Sequence, residues 1–162
     1  MLKQGALRWY LLSLLVIVLD QFSKYLITSS FHLGEVHPIT PFFNLVLTYN
    51  QGAAFSLLAT AGGWQRMFFT ILALLVSVAI ARLLRQHHRE TRFAAALALI
   101  MGGALGNVVD RVILGHVIDF IQVYYSVHYF PAFNIADSGI TIGAALLVLD
   151  SMFKKPTGGQ PA

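Results

Sequence analysis

Four long apolar runs constrain this chain more than any other feature. They cover residues 9–28, 67–84, 93–114 and 135–153, and a helix needs about 20 mostly apolar residues to cross a bilayer. The 162 residues are 57% hydrophobic and only 11% charged, whereas soluble domains carry about 25% charged residues. Disordered chains are polar and rich in charge, so disorder is excluded too. We therefore predict an all-α membrane protein, with residues 1–162 forming a single membrane domain of four transmembrane helices.

The basic residues predict how these helices are oriented. Lysine and arginine flank both chain ends and the connection between the second and third runs, at Lys3, Arg8, Arg82, Arg85, Arg89, Arg92, Lys154 and Lys155. The other two connections hold Arg66 alone. Because cytoplasmic loops of membrane proteins are enriched in lysine and arginine, both termini are expected in the cytoplasm. Residues 29–66 and 116–133 are then extracytoplasmic.

The net charge and the absence of cysteine limit the partners and the chemistry that the chain can have. The formal charge is +4, but the basic residues flank apolar runs, which fits membrane orientation and lipid contact better than nucleic-acid binding. The absence of cysteine excludes disulfides, thiolate metal sites and a cysteine nucleophile.

The extracytoplasmic segments differ from each other in character. Residues 42–49 are β-branched and aromatic, which predicts a strand, and residues 50–52 (NQG) predict a turn after it. Residues 53–59 are expected to form a short helix at the membrane surface. Residues 116–133 are rich in tyrosine and phenylalanine, as is typical of segments at the headgroup level.

Polar residues inside the first run leave two interpretations open. The clean apolar stretch is short enough for a cleaved signal peptide. Against that, Asp20 and Lys24 are spaced i,i+4 and share a helix face, as expected for an ion pair inside a retained helix.

Four of the seven acidic residues lie in or beside apolar sequence, at Asp20, Asp110, Asp119 and Asp137. An ionisable group in a membrane is costly and suggests function by default. Asp110 shares a helix face with Asn107 and Arg111, and the simplest interpretation is a polar clamp between helices. The Asp20–Lys24 pair has the same structural interpretation.

Asp119 and Asp137 are different, because no lysine or arginine lies within four positions of Asp119. Structural alternatives exist for both: an interfacial loop acid for Asp119, and a helix-start carboxylate for Asp137 behind an Asn134 N-cap. Taken together, they lie at the outer ends of sequential spans, which pack side by side. Two neighbouring carboxylates cannot both ionise easily, so one is expected to hold a proton. This is the arrangement of an aspartic protease.

Other functions fit the residues less well. The six histidines show no metal-ligand spacing, and we expect no metal and no cofactor. A Ser23/Lys24 dyad is conceivable, but the two side chains point to different helix faces. A proton-coupled transporter would need a carboxylate near the midplane, which Asp20 alone could provide. A scaffold subunit would use the polar residues only to hold helices together.

Five segments, in order along the chain, carry a resemblance to a known family. They are residues 20–24 (DQFSK), 50–55 (NQGAAF), 103–111 (GALGNVVDR), 117–120 (VIDF) and 133–138 (FNIADS). Together they resemble the bacterial lipoprotein signal peptidases, signal peptidase II. Five motifs in order form a specific signal, although any one of them alone would be weak.

The resemblance implies a four-helix aspartyl endopeptidase of the bacterial inner membrane, with a small β-cradle around residues 42–49. It implies removal of signal peptides from prolipoproteins, on the amino side of a cysteine carrying diacylglyceryl, and inhibition by globomycin. The catalytic pair maps to Asp119 and Asp137. Matching positions for the rest of the site, some of them structural, are Asp20, Lys24, Asn50, Gly52, Asn107, Asp110, Arg111, Asn134 and Ala136.

Overall fold

The protein is described from a computed structural model, which covers residues 4–52 and 63–153. Within these ranges are four helices long and apolar enough to cross a membrane. They are α1 (Gln4–Ser30), α2 (Trp64–His87), α3 (Thr91–Ile113) and α4 (Ile135–Phe153). The predicted fold class is confirmed, and α1 begins five residues before the predicted run.

Helix α3 is the centre of the bundle and packs against the other three helices. Its glycines permit this close approach. A Cβ at Gly103 would collide with the carbonyl oxygen of Ala136 on α4. A Cβ at Gly143 of α4 would lie 2.7 Å from the carbonyl oxygen of Ala96 on α3. Small residues therefore bring the backbones of α3 and α4 together, as in many membrane helix pairs.

One end of the bundle is the turn between α2 and α3. Apolar packing and a few polar contacts hold α1 against the other helices there. Trp9 and Leu84 belong to a buried apolar cluster there. The Trp9 indole Nε1 donates to the carbonyl oxygen of His88 at 2.9 Å, and the Tyr10 hydroxyl donates to the carbonyl oxygen of Ala81 at 2.7 Å. The first bond attaches α1 to the α2–α3 turn, and the second attaches α1 to the last third of α2.

An antiparallel sheet covers the other end of the bundle. Its strands are β1 (Val36–Thr40), β2 (Phe43–Asn50), β3 (Val117–Tyr125) and β4 (His128–Tyr129), in the order β1-β2-β3-β4. A second buried cluster joins the sheet to α1 through Ile27, Leu47, Ile118 and Phe120. Apolar packing therefore holds the sheet against the end of α1.

The sequence predicted only part of this sheet. Strand β2 agrees with the expectation for residues 42–49. Residues 116–133, expected as an aromatic interfacial segment, instead contain β3 and β4, and β1 was not predicted. The expected helix at residues 53–59, and the flanking Lys3, Lys154 and Lys155, lie outside the described residues.

Candidate active site

The chain brings Asp119 and Asp137 together by passing from β3 into α4. Asp119 lies on β3, opposite Thr48 of β2. The chain then returns so that Phe133 pairs with Ile121 of β3, with backbone N–H to oxygen distances of 3.0 and 2.8 Å. Helix α4 begins two residues later, so its first turn lies beside the Asp119 carboxylate.

Two asparagine amides hold Asp119, whose residue surface is only 2% exposed. Asn134 Nδ2 donates to Oδ1 at 2.8 Å, and Asn50 Nδ2 donates to Oδ2 at 3.0 Å. Burial, and after it the Asp137 carboxylate, raise the pKa of Asp119 to about 7 against the opposing effect of these hydrogen bonds. The side chain can therefore hold or release a proton near neutral pH.

Asp137 is held by the same kind of donor. Asn107 Nδ2 donates to its Oδ1 at 2.8 Å, and the Asp137 backbone N–H donates to Asn134 Oδ1 at 2.8 Å. Asn134 therefore caps α4 in the geometry expected of an N-cap asparagine. Asn134 Nδ2 also lies 3.2 Å from Asn107 Oδ1. The two asparagines thus connect the two aspartates directly.

The neighbours of each asparagine fix which way its amide points. Backbone N–H groups donate to the side-chain oxygens of Asn50 and Asn134, and the Lys24 ammonium donates to that of Asn107 at 3.1 Å. An amide whose oxygen is engaged must turn its NH₂ the other way. All three NH₂ groups are therefore directed at the two aspartates.

A buried ion cluster lies behind this layer. Lys24 Nζ is 2.7 Å from Asp20 Oδ2 and 2.8 Å from Asp110 Oδ2, and none of the three side chains is more than 2% exposed. The i,i+4 ion pair expected from the sequence is thus present, together with a second acid from α3. With two carboxylates and an amide oxygen as acceptors, the amine of Lys24 is placed as an ammonium donor.

The two acids of this cluster also accept backbone N–H groups. The Ala136 N–H donates to Asp20 Oδ1 at 2.8 Å, and the Ile118 N–H donates to Asp110 Oδ2 at 3.1 Å. Ala136 and Ile118 each come immediately before one of the paired aspartates.

Arg111 connects the site to the turn after β2. Its Nη2 donates to the carbonyl oxygen of Gly52 at 3.1 Å, and the Gly52 N–H donates to Asn50 Oδ1 at 2.9 Å. Arg111 Nε is buried and has no hydrogen-bond partner in the described part of the chain. Arg111 therefore supports the loop that orients Asn50.

All eleven site residues expected from the sequence belong to this one connected network. One side chain of the network was missed: Gln21 Nε2 donates to Asp110 Oδ1 at 2.8 Å and lies 3.2 Å from Asp20 Oδ2. One indication of this role was present in the sequence, because Gln21 is an uncharged polar residue next to Asp20 inside an apolar run. Residues 53–55 of the second motif lie outside the described ranges.

The geometry gives little support to other chemistries. Within residues 4–52 and 63–153, no group of three or more histidines and acids is placed to hold a metal ion. The Ser23 hydroxyl donates to the backbone oxygen of Asp20 at 2.8 Å, and Lys24 donates to carboxylates instead. A Ser23/Lys24 dyad is therefore not assembled.

Comparisons with known proteins show which family the chain belongs to. Residues 12–153 match the family described as signal peptidase (SPase) II. Lipoprotein signal peptidases from Cupriavidus pinatubonensis and Paraburkholderia phymatum are 56% and 54% identical, over 90% and 89% of this chain and 83% and 87% of their own lengths. A bacterial membrane enzyme solved by the in meso method at 2.3 Å resolution superimposes with a TM-score of 0.79, at 32% identity and 94% coverage of both chains. This chain belongs to the signal peptidase II family.

Proposed function

We propose that the protein is an intramembrane aspartyl endopeptidase that removes signal peptides from diacylglyceryl-modified prolipoproteins. Cleavage takes place on the amino side of the lipid-modified cysteine. The observation that carries the proposal is the Asp119–Asp137 pair, held by neutral amide donors where the sheet meets the helix bundle. The substrate follows from the relatives, which are named lipoprotein signal peptidases.

In the first step, Asp137 acts as the base and Asp119 as the acid. A pKa of about 7 lets Asp119 hold the proton near neutral pH. Asp137 Oδ1 accepts from Asn107, and we assign the attacking water to its other oxygen. The water oxygen attacks the scissile carbonyl carbon while Asp137 takes a proton from it. Protonated Asp119 donates to the carbonyl oxygen as negative charge develops there.

In the second step, the tetrahedral intermediate collapses and the C–N bond breaks. Asp137 returns its proton to the departing nitrogen of the cysteine, which becomes the new amino terminus. A hydroxyl of the intermediate returns its proton to Asp119 as the new carboxyl group forms, so the pair is restored for the next turnover. The reaction needs only water and the two carboxyls, and the proposal includes no metal or organic cofactor.

The surroundings fit a substrate held in the bilayer. A diacylglyceryl group and a hydrophobic signal peptide can both be held by apolar contacts, leaving the carboxylates to act in the transition state. We place the protein in the bacterial inner membrane, with both termini in the cytoplasm and the sheet outside, because arginine is concentrated at the α2–α3 turn. Its partners are then the prolipoprotein and membrane lipid.

Two other functions compete with this proposal. A transporter would use Asp20 near the midplane, but that carboxylate is already engaged by Lys24 and a backbone N–H. A scaffold would need Asp119 only for packing, whereas a buried carboxyl with a raised pKa costs stability when it ionises. The peptidase is favoured over both.

The direct test is cleavage of a purified, lipid-modified prolipoprotein by the purified protein in detergent or nanodiscs. We expect one cut before the modified cysteine, and none in a substrate whose cysteine lacks the lipid. Cleavage at another bond, or equal cleavage of the unmodified substrate, would contradict the proposed specificity.

A second test concerns the pair itself. Asp119→Asn and Asp137→Asn keep the side-chain shape and remove the titrating group. Each change should lower kcat by several orders of magnitude, and the double variant should lose little more, because residues that act as a unit are strongly non-additive. Substrate binding should survive in each variant. Substantial activity in either single variant, or losses that multiply in the double variant, would show that the two carboxyls do not act together.

A further inference from the structure

We infer that Asp20 is a positioning residue that sets the place of Asp137 by holding the backbone N–H of Ala136. The inference rests on the proposed function and extends it to a residue on a different helix. Asp20 lies on α1, more than one hundred positions before Ala136, yet its Oδ1 accepts that N–H at 2.8 Å. The first turn of α4 is thereby attached to α1 directly beside the aspartate.

The N–H of Ala136 has little choice of acceptor. It lies in the first turn of α4, where backbone N–H groups have no partner within the helix. Ala136 is fully buried, so water does not reach this N–H in place of Asp20. The bond to Asp20 therefore fixes the position of the backbone immediately before Asp137.

The two oxygens of Asp20 have separate partners. Oδ1 accepts from Ala136, while Oδ2 accepts from the Lys24 ammonium at 2.7 Å and from Gln21 at 3.2 Å. Both oxygens must therefore be acceptors at once, which a carboxylate provides and an amide does not.

Asp110 provides a natural comparison. A single oxygen, Oδ2, serves both the Lys24 ammonium at 2.8 Å and the Ile118 N–H at 3.1 Å. Within the described residues, its other oxygen accepts from the side chain of Gln21, which is half-buried and can turn. An amide at position 110 can therefore keep both important bonds with its one oxygen.

This difference predicts unequal effects from the same chemical change. Asp20→Asn and Asp110→Asn each remove one negative charge beside the same ammonium. At position 20 the amide oxygen will face Lys24, since bonds to charged groups are the stronger, and the NH₂ will then face the Ala136 N–H. That N–H loses its acceptor and the first turn of α4 shifts. At position 110 the corresponding N–H keeps its acceptor.

The experiment compares the two variants with the wild-type enzyme, after their thermal unfolding has confirmed that all three are folded. Because a displacement of about 1 Å can cost about a hundredfold in rate, we expect Asp20→Asn to lower kcat at least about tenfold more than Asp110→Asn. KM should stay within about threefold in both variants, because substrate contacts are retained. Amide hydrogen exchange at Ala136 should rise in Asp20→Asn only.

The outcomes separate this inference from the proposed function. Equal losses of kcat in the two variants, or unchanged exchange at Ala136 in Asp20→Asn, would overturn the positioning role while the peptidase activity stands. If the wild-type protein does not cleave prolipoprotein, the proposed function fails, and the exchange measurement alone still decides whether Asp20 holds Ala136.

A second variant covers the case in which Asp20→Asn does not fold. Gly106→Ala leaves every charge in place, but its Cβ would lie 2.9 Å from Asp20 Oδ2 and 3.3 Å from the Ala136 Cβ. We expect it to lower kcat and raise exchange at Ala136 with KM unchanged. Wild-type values of kcat and exchange in a folded Gly106→Ala variant would refute the inference.

Discussion

Replacing Lys24 by methionine tests whether the buried ion cluster of Lys24, Asp20 and Asp110 stabilises the fold. Methionine keeps an unbranched apolar stem of similar length and removes the ammonium. Asp20 and Asp110, whose side chains are 0% and 1% exposed, would then face each other without a counter-ion. Removing one partner of a buried ion pair costs about 3–5 kcal/mol, and here one cation serves two acids, so the upper part of that range is expected.

A loss of this size is large for a single domain. Total stabilities are about 5–15 kcal/mol, and about 1 kcal/mol corresponds to about 2–4 °C in Tm for a chain of this length. For a loss of about 4–5 kcal/mol, the Tm of Lys24→Met in detergent should therefore fall by about 8–20 °C. The matched control is Arg82→Met, which removes an exposed cation from α2 and should change Tm little.

A double variant checks the cause. Adding Asp110→Asn to Lys24→Met restores the net charge of the cluster, so the double variant should be more stable than the sum of the two single changes predicts. If Lys24→Met unfolds at the same temperature as the Arg82→Met control, the cluster does not stabilise the fold. If it folds fully and loses all turnover, Lys24 has a chemical role and a Ser/Lys mechanism must be reconsidered.

Four further predictions follow from the sequence and the structure. Cysteines introduced as Glu35→Cys and Gln86→Cys should react with an impermeant thiol reagent from opposite sides of the membrane; reaction from one side would refute the topology. With the pKa of Asp119 at about 7, kcat should fall as pH rises above about 7, and a profile that is flat from pH 6 to 9 would contradict a protonated Asp119. Because that pKa is higher in the folded protein, the contribution of Asp119 to the free energy of unfolding should be lost as pH rises from about 4 through about 7, and Asp119→Asn should abolish this dependence in thermal unfolding. Gly103→Val should lower the free energy of unfolding by about 1–3 kcal/mol, since its side chain would enter the space of the Ala136 carbonyl, and an unchanged Tm would show that α3 and α4 can separate freely.

The helices were predictable because their signal is local. Each apolar run has the length that a bilayer demands, and each helix in the structure contains or closely matches a predicted run. The Asp20–Lys24 pair and the Asn134 cap were predictable for the same reason, since i,i+4 and N-cap relations depend only on spacing within one element.

The sheet was harder, because its pairing is not local. Strand β3 pairs with β2 across about seventy positions, with Asp119 opposite Thr48. The first four residues of β3, residues 117–120, are all buried, so both faces of the strand are covered there. The alternation of polar and apolar residues that identifies a half-exposed strand is therefore absent. The contacts of Ala136 and Ile118 could not be predicted for another reason. Both are made by backbone N–H groups, which every residue except proline has.

The choice of donors around the aspartates explains how one of them can hold a proton in a buried site that also contains two cations. A lysine or arginine bonded directly to Asp119 would lower its pKa strongly. In the described structure, the direct donors to both carboxylates are neutral asparagine amides, and Lys24 is separated from Asp137 by the Asn107 side chain. The cation thus orients the amide and stabilises the cluster behind it without pairing with Asp119 or Asp137. Exchanging an asparagine donor for a lysine should therefore bind the carboxylate more tightly and still abolish activity, because the pair would lose the proton that the first step requires.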